Sequence, residues 1–269
     1  MARASRHDAW RAGDSYDLYM GRWSRKVAPR FLEWLHPAAG LDWVDVGCGT
    51  GALSSAIVSG YDPKSLVGLD PSEGFLEKAR LNVPDPRAEF RLGDAQMLAM
   101  PSDVADIVVS GLMLNFVPRR EEALREMARV ARPGGRVAFY VWDYPGGGVE
   151  FMRAFWMAAV DLDPAAQDLT ENRRFPFCTR DNLAHLARQS GLAEVEDEEI
   201  EIATRFESFD DFWRPFTLGT GPAPAYCANL PADRRRKLRE KLKANLPYAD
   251  DGSIPFKARA WAVRGRAVE

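Results

Sequence analysis

The sequence predicts an α/β fold, a doubly wound, mostly parallel seven-stranded sheet with helical cap insertions. Short apolar strands alternate with amphipathic helices between residues 42 and 142. The strand predicted at 106–110 has almost no polar face, as expected at the covered centre of a parallel sheet. A chain of 269 residues is long enough to bury a full core, and its length favours one enlarged domain or a domain with a lid over two equal halves.

Composition and charge narrow the classes of function. The chain has 28% charged residues and a net charge of −3, so charge gives no case for a nucleic-acid partner. No apolar run reaches the length of a membrane span, and the N-terminus lacks the apolar segment of a signal peptide. Cys48, Cys178 and Cys227 are far apart, which argues against a disulfide framework and a zinc site. We expect a cytoplasmic protein without a metal site.

The N-terminal segment predicts a helical arm, which we assign to residues 1–40. Aromatic and charged side chains alternate over 8–35, and apolar residues repeat at helical spacing before Pro37. The simpler interpretation is a helix packed on the sheet. The alternative is that residues 14–23 fold over a bound ligand.

The first strand, at 43–46, leads into a loop with glycine at 47, 49 and 51, and this loop opens a helix. Glycine permits positive φ and close approach of a ligand, and the helix N-terminus presents unpaired N–H groups. Gly47, Gly49 and Ala52 match the loose G-x-G-x-x-A pattern of nicotinamide-binding loops. Asp45 argues against that interpretation, because a carboxylate two residues before the first glycine repels a pyrophosphate.

Acidic residues follow the next two strands. The strand at 66–70 ends in Asp70, where a carboxylate can accept both hydroxyls of a ribose; the alternative role is an acid at a helix N-terminus. The strand at 88–92 is followed by Gly93, Asp94 and Ala95. Asp94 also suits a simple turn at a strand end.

The later elements complete the sheet and its insertions. Pro118 opens a helix that ends at Pro133, and the predicted strands continue at 136–142, 194–204 and 254–263, with a helix over 179–190. Thr179 is its expected N-cap and Gly191 its expected C-cap. We assign the core to 41–143, 179–205 and 251–269, and the cap to the insertions 144–178 and 206–250.

The second insertion contains an aromatic helix and a basic run. The aromatics at 209, 212, 213 and 216 share one helix face, whose commonest fate is core packing, although some rings could contact an apolar acceptor. The basic run at 234–239 could bind phosphate, RNA or an anionic membrane. The leucines at 238, 242 and 246 favour a solvated basic face with a buried apolar face.

Several motifs resemble class I S-adenosylmethionine-dependent methyltransferases. Residues 44–51 resemble the first motif, Leu69-Asp70-Pro71-Ser72 the second, and Gly93-Asp94-Ala95 the adenine-binding segment. Residues 105–116 are similar to the fourth strand and the loop that faces the methyl group, and 124–136 to the stretch before the fifth strand. The chain is most similar to the small-molecule, methyltransferase type 11 group that includes quinone-biosynthesis C-methyltransferases.

The resemblance implies a Rossmann-like fold and methyl transfer from S-adenosylmethionine to a small, partly apolar acceptor, with O-, N- or C-methylation left open. Asp45 would face the methionine end of the donor, Asp70 its ribose, and Asp94 with the N–H of Ala95 its adenine. Tyr16, Tyr19, Met20 and Arg22 resemble an element that many members fold over the donor. The implied donor-binding residues are Tyr16, Tyr19, Arg22, Asp45, Gly47, Gly49, Gly51, Asp70, Pro71, Asp94, Ala95, Ser110, Leu112 and Phe116.

No catalytic residue is predicted. Residues 110–116 lack an Asn-Pro-Pro-Tyr signature, and neither the histidine nor the aspartate typical of quinone enzymes lies near Asn115. The three histidines occupy positions typical of structural or solvated residues, and Asp143 and Tyr144 are candidates for substrate contact only. A nicotinamide-dependent oxidoreductase and a non-catalytic S-adenosylmethionine-binding protein are the alternatives. The oligomeric state is not predicted.

Overall fold

A computed structural model describes residues 13–268 of the protein. In chain order its strands are β1 (Asp42–Val46), β2 (Ser65–Asp70), β3 (Ala88–Leu92), β4 (Ala105–Gly111), β5 (Ala131–Trp142), β6 (Ala193–Ala203) and β7 (Lys257–Arg266). They form one seven-stranded sheet in the order β3-β2-β1-β4-β5-β7-β6. Neighbours from β3 to β5 are parallel, whereas β7 is antiparallel to β5. The predicted fold class is confirmed.

Helices connect and extend these strands. They are α1 (Gly13–Tyr16), α2 (Arg22–Leu35), α3 (Ala52–Tyr61), α4 (Glu73–Asn82), α5 (Arg120–Val130), α6 (Glu150–Leu162), α7 (Glu171–Arg174), α8 (Arg180–Gln189), α9 (Phe209–Phe216), α10 (Pro222–Asn229) and α11 (Ala232–Asn245). A π-helix at Asp17–Gly21 and 3-10 helices at Leu114–Phe116 and Pro164–Leu169 complete the helical structure.

The chain divides into two compact units. The sheet unit comprises Trp23–Trp142, Phe177–Ile200 and Ala260–Glu269, and therefore contains β1 to β5 entirely. The helical unit comprises Met1–Arg22, Asp143–Pro176 and Glu201–Arg259, and contains α6, α7 and α9 to α11. Residues 1–12 and 269 lie outside the described part of the chain, and so do the predictions that fall on them.

The sheet unit is organised around β1 and β4 at its centre. Residues 43–46 of β1 and 107–110 of β4 are buried, because both faces of these strands are covered. The chain passes from β1 through β2 to β3 on one side, and from β4 to β5 on the other. The strand order therefore reverses between β1 and β4, and ligands of open α/β sheets bind at the carboxyl ends of the strands at such a point.

Local capping explains several helix ends. The Thr179 hydroxyl accepts the Asn182 N–H at 3.4 Å, so the predicted N-cap of α8 is confirmed. The C-cap is Ser190, and the predicted Gly191 lies one residue beyond it with φ +90°. At the C-terminal end of α2, Arg136 donates to the carbonyl of Leu35 at 2.7 Å. The side chain of a basic residue thus satisfies a carbonyl that has no partner within the helix.

Two strands differ from their predicted bounds by three residues or more. β5 begins at Ala131 rather than 136, although its pairing with β4 shifts register between Ala131 and Arg136. The predicted bound is therefore the residue where regular pairing resumes. The last strand comprises 257–266 rather than 254–263, because Ile254 instead forms an isolated bridge with Phe206.

The helical unit has an aromatic core. Phe155 and Phe216 stack with ring centroids 4.3 Å apart, and Tyr19 meets Phe216 edge-on at 5.5 Å. All four aromatics of α9 are buried, which agrees with the core packing predicted for its apolar face. In α11 the buried residues are Leu238 and Leu242, as predicted for the face opposite the basic run.

The helices offer no candidate for a transmembrane segment. Over residues 13–268, none combines the length and the apolar character needed to cross a bilayer.

Candidate functional site

The loop between β1 and α3 contains three glycines with positive φ, +73° at Gly47, +55° at Gly49 and +87° at Gly51. A Cβ on Gly47 would lie 2.3 Å from Cγ of Met113, and one on Gly51 would lie 3.3 Å from the α4 backbone. A Cβ on Gly49 would meet no atom within 4 Å. Gly47 and Gly51 therefore permit close packing, whereas Gly49 exposes backbone to open space.

Asp70 connects the end of β2 to this loop. Its two carboxylate oxygens accept the N–H of Gly49 at 3.0 Å and the N–H of Ser72 at 2.9 Å. Burial raises the pKa of Asp70, while these two hydrogen bonds lower it. Each oxygen retains a further lone pair, so the carboxylate can still accept hydrogen bonds from a ligand. Pro71, beside it, is exposed.

Asp45 lies within β1 and is fully buried. One of its oxygens accepts the Ser54 hydroxyl of α3 at 2.7 Å, and the other has no partner among the described residues. Burial, opposed by the hydrogen bond from Ser54 and assisted by the charge of Asp70, raises the pKa of Asp45 to about 7. The carboxyl group therefore changes charge near neutral pH.

The end of β3 lies beside Asp70, because the N–H of Gly93 donates to the carbonyl of Asp70 at 3.2 Å. Asp94 is exposed and accepts the backbone N–H of Gln96 at 2.9 Å, whereas Ala95 is half-buried. The turn that was the alternative role of Asp94 is therefore present. It leaves the carboxylate accessible to a ligand.

The carboxyl end of β4 carries buried polar groups without partners in the described part of the chain. They are the Ser110 hydroxyl and both amide atoms of Asn115, in side chains that are 1% and 2% exposed. Native proteins leave few buried polar groups unpaired, so each of them calls for a ligand or an ordered water. Leu112 has φ +60°, a conformation that non-glycine residues adopt mainly at functional sites, and it is half-buried like Phe116.

The predicted residues of the N-terminal arm lie in the helical unit. Tyr16 is half-buried, and Tyr19 is 2% exposed, with burial raising the pKa of its phenol. The Arg22 guanidinium donates to both oxygens of Asp211, at 2.7 and 3.0 Å. It therefore pairs with a carboxylate of the chain itself, and its role as a donor-binding residue stays a prediction.

The structure assigns partners that sequence reasoning missed. Ser54 holds Asp45, Met113 closes over Gly47, and Gln96 connects Asp94 to the N–H of Arg119 at 3.2 Å. No local pattern indicates these pairs, because each joins segments that only the folded sheet brings together. Asn115 was not predicted as a site residue, because the sequence indicated only that the histidine or aspartate typical of quinone enzymes is absent near it.

The carboxyl edge of the sheet is acidic, and its cysteine, Cys48, is a poor nucleophile. Burial raises the pKa of the Cys48 thiol well above its ordinary value, so the thiolate is scarce at neutral pH. Within residues 13–268, no cluster of three histidine, cysteine or acidic side chains could hold a metal ion. At this edge lie the open backbone of Gly49, the buried carboxyl groups of Asp45 and Asp70, and the unpaired polar atoms of Ser110 and Asn115. Such a set can bind and orient a nucleoside that carries positive charge.

Comparisons with known proteins agree with this geometry. The sequence model of a family described as "Methyltransferase domain" matches residues 44–139. The chain is 32% identical to demethylmenaquinone methyltransferase of Halalkalibacterium halodurans over 57% of this chain and 68% of that protein. It is 33% identical to malonyl-[acyl-carrier protein] O-methyltransferase of Methylococcus capsulatus over 36% of this chain and 35% of that protein.

A solved structure shares the fold. Phosphoethanolamine N-methyltransferase 2 of Haemonchus contortus, in complex with S-adenosyl-L-methionine, aligns with a TM-score of 0.58 at 16% identity, covering 96% of this chain and 57% of that chain. The chain spans about a third of the length of several curated relatives it matches. From its sequence motifs, its sheet and these matches, the chain belongs to the class I S-adenosylmethionine-dependent methyltransferase family.

Proposed function

We propose that this protein transfers the methyl group of S-adenosylmethionine to a small, partly apolar acceptor. One observation carries the proposal above all others. The Gly49 backbone faces open space while its N–H is held by Asp70, at the edge where the strand order reverses. This is where an α/β sheet of this order binds a nucleoside ligand.

The residues present fit the donor. Gly49 leaves the room that a side chain would fill, and Asp70 can accept ribose hydroxyls through its remaining lone pairs. The sulfonium of S-adenosylmethionine supplies an activated methyl group when bound. Asp45, close to ionisation at neutral pH, contributes negative charge near this cation without direct access to solvent.

The remaining donor contacts belong to the same proposal. Asp94 accepts the adenine amino group and the N–H of Ala95 donates to the ring. Ser110, Leu112 and Phe116 line the donor pocket at the end of β4, and Asn115 joins them because its amide atoms have no other partner in the described chain. Tyr16, Tyr19 and Arg22 of the arm complete the proposed set of donor-binding residues.

The chain's own contribution to the reaction is alignment. Because the sulfonium already activates the methyl group, holding the acceptor in line with that methyl group is the main work. We propose that the acceptor is bound by the insertions 144–178 and 206–250, with Asp143 and Tyr144 at the start of the first. Support comes from the helical unit, which comprises these segments and has an apolar interior.

Calorimetric titration with S-adenosylhomocysteine tests donor binding. We expect the wild type to bind it and Asp70→Ala to weaken binding by about ten-fold or more, because Asp70→Ala removes charged hydrogen bonds to the loop and to the ribose. NAD serves as the control ligand, and we expect no heat of binding from it. An absence of S-adenosylhomocysteine binding to the folded wild type would refute the proposal.

A further inference from the structure

The helical unit contains a cavity of about 740 Å³, a size suited to a small organic molecule. It lies between α6 and the segments at 144–149 and 164–172. Its apolar lining includes Val149, Met152 and Trp156, which are 3%, 4% and 4% exposed, and Met157, which is 66% exposed. A large exposed apolar side chain beside a buried apolar floor favours contact with an apolar ligand.

Three charged side chains line this cavity: Arg153, Asp161 and Glu171. Both acids have a donor of the protein itself. Asp161 pairs with Lys241 of α11, and Glu171, which is buried, accepts the indole N–H of Trp156. A cationic ligand would have to compete with these donors.

Arg153 differs from the two acids. Within the described part of the chain its guanidinium makes no ion pair and no hydrogen bond, although it lines the cavity. Arg153 is exposed, and its Cδ lies 3.2 Å from the site of a Cβ on Gly147, which has φ +68°. The absence of a side chain at Gly147 gives the arginine stem room to lie there. The cavity therefore combines an apolar floor with one cation that has no ion-pair partner in the described part of the chain.

We propose that this cavity binds the methyl acceptor, and that the acceptor is a small molecule with an apolar, ring-sized body and a carboxylate that pairs with Arg153. The inference rests on the proposed methyl-transfer function. The body of the acceptor packs against Met152, Trp156 and Met157. The planar guanidinium suits a carboxylate because it can donate two parallel hydrogen bonds.

A matched series of three probes tests the charge preference: 3-phenylpropionate, its neutral amide and 3-phenylpropylamine. They share the ring and the chain length and differ in the head group. We expect ligand-observed NMR titrations to show the carboxylate binding at least about five-fold more tightly than the amide, with the amine weakest. The preference should shrink as salt is raised, because part of the pair is exposed to solvent.

Variants locate the effect at the cavity. Arg153→Gln should reduce the carboxylate-to-amide preference to within about two-fold, while Arg153→Lys should retain part of it. Arg236→Gln on α11 is the control, because this substitution removes the same charge from an exposed residue that lies outside the cavity lining. We expect the control to behave like the wild type.

Each result has a defined meaning. Equal binding of the carboxylate and the amide, no binding of the carboxylate, or a preference that survives in Arg153→Gln would overturn the inference. Titration of the same samples with S-adenosylhomocysteine distinguishes failure of the acceptor inference from failure of the methyltransferase proposal. Donor binding without a carboxylate preference would overturn the acceptor inference and leave the methyltransferase proposal intact. A carboxylate preference without donor binding would refute the methyltransferase proposal and leave a carboxylate-binding cavity of unassigned role.

Discussion

Asp45 is the residue whose chemistry depends most on the fold. In an unfolded chain an aspartate titrates near pH 3.9, whereas burial raises the pKa of Asp45 to about 7. The folded state therefore holds this proton more tightly than the unfolded chain. Below pH 4 both states are protonated, and between pH 4 and 7 the free energy of unfolding falls as pH rises.

We predict that Asp45→Asn removes this loss of stability. Asparagine keeps an oxygen that can accept the Ser54 hydroxyl but carries no charge to desolvate. Between pH 5 and pH 8 the wild type should lose roughly 2–3 kcal/mol of unfolding free energy relative to the variant. Urea unfolding at the two pH values measures the difference.

Asp85 provides the matched control for this experiment. Hydrogen bonds from Arg87 hold the pKa of Asp85 at about 2, so this group is ionised in both states from pH 5 to pH 8. Asp85→Asn should therefore keep the pH slope of the wild type. If Asp45→Asn also keeps that slope, the buried carboxyl group does not titrate in the folded protein as its burial implies.

At the scale of the element, the glycine loop predicts two different outcomes for the same substitution. Gly49→Ala places a methyl group in open space at φ +55°, so we expect a loss of about 1 kcal/mol of unfolding free energy. Gly47→Ala adds a collision with Met113 to the same backbone strain, and we expect a loss of about 2–4 kcal/mol. Chemical denaturation of both variants gives the comparison.

Ligand binding separates the structural part of the loop from the functional part. Gly49→Ala keeps the fold, yet its methyl group enters the space that we assign to the donor, so its affinity for S-adenosylhomocysteine should fall by about ten-fold or more, as expected for overpacking of a site. Wild-type affinity in folded Gly49→Ala would remove this glycine from the donor site.

The sheet could be predicted from the sequence because its signals are local. Apolar runs, glycine loops and caps such as Thr179 lie within a few residues of one another. The strand bounds differ from the prediction where pairing with a distant segment sets the end of the strand. β5 extends back through Pro133 and two glycines because Ala131 pairs with Ala105, and β7 begins late because Ile254 bridges to Phe206.

The same distinction applies to the site. The three glycines and the acids at strand ends could be found by spacing, since parallel strands bring their carboxyl ends to one edge. The Ser54 hydrogen bond to Asp45 and the closure of Met113 over Gly47 depend on packing between segments. Arg153 had no sequence signal, because its role rests on an apolar floor that α6 and the 164–172 segment form together.

For the whole molecule, the family match and the proposed acceptor cavity lie in different parts of the chain. The family match covers 44–139, all of it within the sheet unit, so it supports the donor-binding part. The relatives carry names with different acceptors, a demethylmenaquinone and a malonyl-[acyl-carrier protein]. Acceptor choice is therefore to be sought in the helical unit, where the family match does not extend.

Hydrogen exchange followed by mass spectrometry tests, in the intact protein, whether the sheet unit binds the donor and the helical unit binds the acceptor. S-adenosylhomocysteine should slow exchange in segments 44–54, 67–73 and 108–116, because a ligand stabilises the backbone that it contacts against local opening. The carboxylate probe 3-phenylpropionate should instead slow exchange in 144–172. At the same probe concentration, Arg153→Gln should weaken the second pattern and leave the first, since the donor loop lies in the other unit. Protection of 144–172 that does not require Arg153 would show that the helical unit binds the probe by its apolar surface alone, and the carboxylate would then have no role in acceptor choice.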